Sequence, residues 1–133
     1  MTTFVDTSAF FALLSADDAN NGRATRWLDE VAASEDEHLV THSYVVIESI
    51  ALIHRRLGTD LVRTFIDHLL PVCEIRFVDP GLHERAIVAY LASLRRRSSF
   101  VDRTSFEQMR AEGVRRAFAF DGDFANEGFE VAP

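Results

Sequence analysis

Three times in this chain a short apolar run stops at an aspartate: Phe4-Val5-Asp6, Phe100-Val101-Asp102, and Ala117-Phe118-Ala119-Phe120-Asp121. Aromatic and β-branched residues in so short a run read as a buried strand, and the hydroxyls after Asp6 (Thr7, Ser8) and Asp102 (Thr104, Ser105) suit the start of a helix. Each aspartate is therefore expected where a strand ends or a helix begins. In an open parallel sheet those positions face the crevice outside the carboxyl ends of the strands, where such folds hold their ligands.

The segments between alternate in the same way. Ala9 to Leu14 reads as a short apolar helix, broken by Asp17-Asp18-Ala19-Asn20-Asn21-Gly22, and a second helix covers about Arg23 to Ala33 with Ala24, Trp27, Leu28 and Val31 at helical spacing. Leu39-Val40 is a brief strand. Thr41 or Ser43 can cap a longer helix from Tyr44 to Leu57 that stops at Gly58. A helix from Asp60 to Leu70 ends at Pro71, Glu74 to Val78 alternates like a strand, and Asp79-Pro80-Gly81 turns the chain into a helix over Leu82 to Leu94. Past Asp102 a helix runs to Gly113, then come the strand Ala117 to Phe120 and a last strand Phe129-Glu130-Val131. This βαβα order predicts an α/β fold, a parallel sheet sandwiched between helices, as a single domain over residues 1–133.

With 133 residues, 47% of them hydrophobic, such a domain can bury a real core. No apolar run reaches membrane-spanning length and the start of the chain is acidic, so a cytoplasmic protein with no membrane partner is expected. Cys73, the lone cysteine, lies in an apolar stretch and reads as a buried structural thiol. The net charge of −7 argues against a nucleic-acid partner until its distribution is examined. From Arg95 to Arg116 seven arginines face three acids, so that segment carries +4 and the remainder −11. The run Arg95-Arg96-Arg97 suits the C-terminal end of the preceding helix, and equally a polyanion.

If Asp6, Asp102 and Asp121 meet in one crevice, Glu48 is the fourth candidate, mid-helix on a face shared with Tyr44, Val45, Ala51 and Leu52. Each has a plainer reading: Asp6 and Asp102 as helix caps, Asp121 and Asp123 as turn residues around Gly122, Glu48 as half of an ion pair. Together they call for a cation, because clustered carboxylates raise one another's pKa values unless a positive charge balances them. Oxygen ligands without cysteine or histidine at ligand spacing point to Mg²⁺, with Mn²⁺ possible, rather than zinc. The five histidines are expected at the surface or partly packed. Water held by such an ion is what phosphodiester hydrolysis uses.

These motifs, in this order and over essentially the whole chain, resemble the PIN-domain ribonucleases, specifically the VapC-type toxins of prokaryotic toxin-antitoxin pairs. The matching residues are Phe4-Val5-Asp6-Thr7-Ser8, Glu48, Phe100-Val101-Asp102 with Thr104-Ser105-Phe106, and Phe120-Asp121-Gly122-Asp123-Phe124. The resemblance implies a PIN-like three-layer α/β/α sandwich with a five-stranded, mainly parallel sheet and metal-dependent endonucleolytic cleavage of RNA. It implies Asp6 and Asp102 as central Mg²⁺ ligands, Glu48 and Asp121 completing the acidic site, and Asp123 as accessory. It also implies a cognate antitoxin that blocks the crevice and a toxin homodimer. Arg95, Arg96, Arg97 and Arg103 are then candidates for contact with substrate phosphates.

Two rivals are open at this level. A receiver domain or a haloacid-dehalogenase-like phosphatase also gathers acids at a sheet edge, but both use a lysine and this chain has none. A non-catalytic module could instead dock a partner's arginine in the acidic crevice.

Overall fold

The computed structural model describes residues 1–133. Five strands, β1 (Thr2–Val5), β2 (His38–His42), β3 (Glu74–Arg76), β4 (Arg116–Phe118) and β5 (Glu130–Ala132), form one sheet in the order β3-β2-β1-β4-β5. Every pairing is parallel, so the sheet is wholly rather than mainly so. Seven helices connect them: α1 (Thr7–Leu14), α2 (Asn21–Ala32), α3 (Ser43–Leu57), α4 (Thr59–Thr64), α5 (Pro80–Ala92), α6 (Phe100–Glu112) and α7 (Asp123–Asn126). No helix is long and apolar enough to cross a membrane.

Strand alternation sorts the core into two faces. On one, Arg116 donates to Thr3 and lies over Trp27 of α2, which packs on Phe118 at 4.4 Å. On the other, Phe4 meets His42 and Phe124, and Phe124 meets Phe106 of α6 edge-on at 5.0 Å. Helices thus cover both faces, as a parallel sheet requires. β1 is the central strand, and Phe4 and Val5 are about 1% exposed.

Several expected boundaries move, each because a backbone group finds another partner. β3 stops at Arg76 because the Val78 amide donates to Ser43 Oγ at 3.0 Å instead of to a strand. β4 stops at Phe118, and the Phe120 amide turns to Ser8 Oγ at 3.0 Å. β5 begins one residue late because the Phe129 amide closes onto Phe124 O. The helix expected to run unbroken from Asp60 to Leu70 is α4, then a π turn over Phe65–Leu69 and a 3₁₀ turn over Leu70–Val72, around the Pro71 that excludes a regular ladder. Asp79-Pro80 is a helix start, with Asp79 accepting from the Leu82 amide at 2.8 Å.

Two corrections bear on side chains. His42 is wholly buried rather than at the surface or partly packed, and it, not Thr41 or Ser43, caps α3, its Nδ1 accepting from the amides of Tyr44 and Val45 at 3.2 Å each. Cys73 is half-buried, and the burial it does have pushes its thiol up to about 12, an unreactive group.

Candidate active site

β1 delivers Asp6 to the carboxyl edge of the sheet, 2% exposed. There it is the N-cap of α1: Asp6 Oδ2 accepts from the Ser8 amide at 3.1 Å and from Ser8 Oγ at 2.6 Å. The Ser8 hydroxyl also accepts from the Phe120 amide, so one side chain ties the end of β1 to the exit of β4. Oδ1 of Asp6 has no hydrogen-bond partner. A buried carboxylate oxygen left bare is costly unless something outside the chain meets it.

Asp102 arrives differently from the sequence expectation. Phe100 and Val101 are not a strand end but the first turn of α6, and Asp102 is the third helical residue in a reciprocal cap: Ser99 Oγ accepts from the Asp102 amide at 3.1 Å while Asp102 Oδ2 accepts from the Ser99 amide at 3.0 Å. Thr104 and Ser105, expected to share the capping, donate back to the carbonyls of Phe100 and Val101. The cap uses one oxygen and leaves the other to face the crevice. Asp121 follows β4, and its Oδ1 accepts from the Asp123 amide at 3.1 Å.

The three aspartates meet: Asp6, Asp102 and Asp121 each offer a carboxylate oxygen, and these oxygens lie within 4.8 Å of one another. Their electrostatics are those of an unbalanced acid cluster. Asp6 is pushed up to about 8, first by burial and then by the charge of Asp121, with the Ser8 hydrogen bonds working the other way. Asp102 is raised to about 6, again chiefly by burial, against its Ser99 bonds and reinforced by Asp121 and Asp123. Asp121 is raised as well, with burial the largest cause. Three carboxylates converging from three segments, one of them with an unpartnered oxygen, fit a hard divalent cation.

The other expected residues lie outside this triad. Asp123 is half-buried beside Asp121 but outside the group of three. Glu48 is half-buried on α3, which packs on both α1 and α6, and it too lies outside the three; the wholly buried residue there is its neighbour Ser49, which donates to Thr7 Oγ1. Arg95, Arg96 and Arg97 are exposed in the turn between α5 and α6. An open cleft of about 350 Å³, lined by Arg96, Arg97, Asp123 and Asn126 among others, joins that turn to Asp123. Arg103 does not face it freely: the residue is 6% exposed, and its guanidinium reaches Glu127 at 2.9 Å and Ser98 Oγ at 2.7 Å. A larger cleft of about 490 Å³ lies elsewhere, between Met1, Arg76 and Arg115, and its charges Arg76 and Glu112 pair with each other.

A family model described as the PIN domain matches residues 3–130. The chain belongs to the PIN-domain family. Within that family the chain is 40% identical over 133 residues to the 23S rRNA-specific endonuclease VapC20 of Mycobacterium tuberculosis, with 98% of each chain covered. The crystal structure of M. tuberculosis VapC20, described as a sarcin-ricin loop cleaving toxin, superposes on it with a TM-score of 0.87 at 36% identity over the whole of both chains. VapBC2 from Rickettsia felis, solved on a DNA fragment from its promoter, has the same fold, with a TM-score of 0.74 at 12% identity over 98% of this chain and 97% of that one. The chain is a PIN domain of the VapC type, and the acid triad stands at the carboxyl edge of its sheet.

Sequence reasoning passed over three residues that hold this PIN site together. The sequence marks Ser8 only as a helix cap and a motif residue, His42 as a surface or partly packed group, and Glu127 not at all. For Ser8 a signal existed, the hydroxyl two residues after a strand-ending aspartate. For Glu127 there is none, because its arginine partners lie on α6 and the turn before it, 17 to 31 residues away in sequence.

Proposed function

We propose that this PIN domain is the toxin of a VapC-type toxin-antitoxin pair, an endoribonuclease that hydrolyses phosphodiester bonds in RNA with Mg²⁺ as its metal. The observation that carries this reading is the buried Asp6 carboxylate, which offers an oxygen within 4.8 Å of oxygens from Asp102 and Asp121 and whose Oδ1 has no hydrogen-bond partner. Asp6, Asp102 and Asp121 would hold the ion, with Glu48 and Asp123 as outer acids that bind its water or tune its charge. A divalent ion there supplies positive charge for the phosphodiester oxygens and acidifies the attacking water. The chain itself supplies position: Ser8 fixes the Asp6 carboxylate, the Ser99 cap fixes Asp102, and the Asp123 amide fixes Asp121.

Arg96 and Arg97 line the cleft that reaches Asp123, and with the adjacent Arg95 they are proposed to meet substrate phosphates, through charge rather than base identity. The similarity to VapC20 makes the sarcin-ricin loop of 23S rRNA the substrate to test first. The reading places the protein in the cytoplasm with its RNA, as a homodimer, and held inactive by an antitoxin whose segment enters the acidic crevice. An arginine from such a segment would satisfy the same carboxylates that hold the metal.

The test is to incubate a sarcin-ricin loop RNA and an unstructured RNA with the protein, in Mg²⁺ or in chelator, beside an Asp6→Asn variant. Cleavage that needs Mg²⁺ and disappears in the variant is the expected result. Binding of RNA with no cleavage under any condition would replace the nuclease with a docking module.

A further inference from the structure

The carboxylate of Glu127 is gripped by three arginines drawn from two segments. Arg103 Nη1 reaches Glu127 Oε1 at 2.9 Å, Arg96 Nη1 reaches the same oxygen at 3.3 Å, and Arg110 Nη2 reaches Oε2 at 2.9 Å. Arg103 and Arg110 stand on the first and third turns of α6, and Arg96 in the turn before it. The Glu127 and Arg103 side chains are only 13% and 7% exposed, so this is not a solvated surface pair. Burial opposes the charge on Glu127, yet the hydrogen bonds and charges of Arg110 and Arg103 hold its carboxyl below the ordinary range.

The position of this cluster matters more than its strength. Arg103 follows Asp102 directly, and Glu127 closes α7, its amide donating to the carbonyls of Asp123 and Phe124. One side of the cluster is thus one residue from Asp102. The other is tied through the backbone to the short turn that presents Asp121 and Asp123. α6 is tied to the end of β2 by the Ser105–His42 hydrogen bond, which does not reach the α7 turn, so holding Asp102 against Asp121, two like charges that repel, needs a second tie between α6 and that turn. A buried bidentate-capable arginine on a carboxylate supplies direction as well as attraction.

We propose that Glu127 is a positioning residue of the acid triad, clamping the first turn of α6 to the α7 turn through Arg103 so that Asp102 and Asp121 are held at cation-binding separation. The proposal rests on the nuclease reading above, because it assigns Glu127 a role toward the same metal. Glu127 itself stays with the arginines and never becomes a ligand.

The experiment is calorimetric titration of the purified protein with Mn²⁺, alongside thermal unfolding, for wild type, Glu127→Gln, Arg103→Lys, and Arg76→Gln as a comparison. Arg76 pairs with Glu112 at the far end of α6, at 2.8 Å, so its loss loosens the same helix without touching the clamp. Glu127→Gln is expected to weaken Mn²⁺ binding about tenfold or more, as loss of groups that orient metal ligands does, and to lower kcat for RNA cleavage more than it raises KM. Arg76→Gln is expected to lower the unfolding temperature while leaving Mn²⁺ affinity unchanged. Equal Mn²⁺ affinity in wild type and a folded Glu127→Gln would overturn the proposal, as would a loss in Arg76→Gln that matches it. If Glu127→Gln does not fold, Arg103→Lys, which keeps the charge and loses the fork, gives the same readout with the same two outcomes. Wild type that binds no Mn²⁺ would sink the nuclease reading and this one together, whereas unchanged affinity in the variants sinks only the clamp.

Discussion

Two adjacent parallel strands, β1 and β2, each end in a buried titratable side chain, and the two are treated in opposite ways. His42 at the end of β2 is 0% exposed and fully satisfied: Nδ1 accepts two amides of α3, and Nε2 donates to Ser105 Oγ at 2.8 Å, which passes its own proton to Val101 O. That network admits only the neutral ring protonated on Nε2. Asp6 at the end of β1 is 2% exposed, with one oxygen satisfied and one bare. The first is a structural fastener between α3 and α6. The second is the carboxylate proposed to hold the cation.

The contrast is tested most severely by exchanging a single atom. Asp6→Asn is expected to lower RNA cleavage more than about a hundredfold, since it removes a charge from the centre of the metal site. In the absence of divalent ions the same variant is expected to be more stable than wild type at pH 8, because it removes an ion that burial penalises. Thermal unfolding in chelator checks this, and a variant less stable than wild type at that pH would mean that Asp6 already has a balancing partner.

The next effect is at His42. His42→Ala strands two amides at the start of α3 and leaves a void in the core, so a loss of about 2–4 kcal/mol is expected by urea unfolding. The cleavage rate of the folded fraction should change far less than in Asp6→Asn. A His42 variant as inactive as Asp6→Asn, yet normally folded, would erase the distinction between the two strand ends.

The pH dependence separates the same pair by sign. Burial lowers His42 from 6.5 to about 3 in the folded protein, so its unfolded ring binds a proton first and stability is lost as the pH falls below about 6.5. Asp6 is raised from 3.8 to about 8, so its contribution runs the other way: it is complete below about 4 and is lost as the pH rises toward 8. Metal-free wild type should therefore lose stability on both flanks, and Asp6→Asn should lose less on the alkaline flank, where only the raised Asp102 and Asp121 still act. Urea midpoints measured from pH 4 to pH 9 decide it.

The smallest effect is expected in the exposed turn. Replacing Arg95, Arg96 and Arg97 with alanine should leave unfolding within about 1 kcal/mol of wild type, since only Arg96 makes an ion pair and it is largely exposed. RNA affinity should fall and its dependence on salt should flatten by up to about three phosphate contacts. Unchanged RNA affinity at low salt would remove these arginines from the substrate path.

How far the sequence could be read follows the same line. The alternation of apolar runs with helices was enough to set the α/β architecture, and strand-ending aspartates were enough to bring Asp6 and Asp121 to one edge. Asp102 came to the right place by another route: Phe100-Val101 is a helical turn, and the residue that positions Asp102 is Ser99, whose reciprocal cap reads as Ser-x-x-Asp once the helix start is known. His42 was out of reach because an imidazole capping a helix has no pattern of its own. Arg103 and Glu127 were out of reach for a different reason, since a buried ion pair 24 residues apart in sequence depends on how α6 and α7 pack. Local chemistry was legible; the groups that hold it in register were not.

The claim on which all of this depends is that Asp6, Asp102 and Asp121 form one cation site, and the most direct measurement is the unfolding temperature at pH 8 as Mg²⁺ or Mn²⁺ is added to wild type and to Asp6→Asn. Wild type should rise progressively with metal, as any ligand specific to the folded state requires, while Asp6→Asn stays flat. Equal responses in the two proteins, or none in wild type, would contradict it.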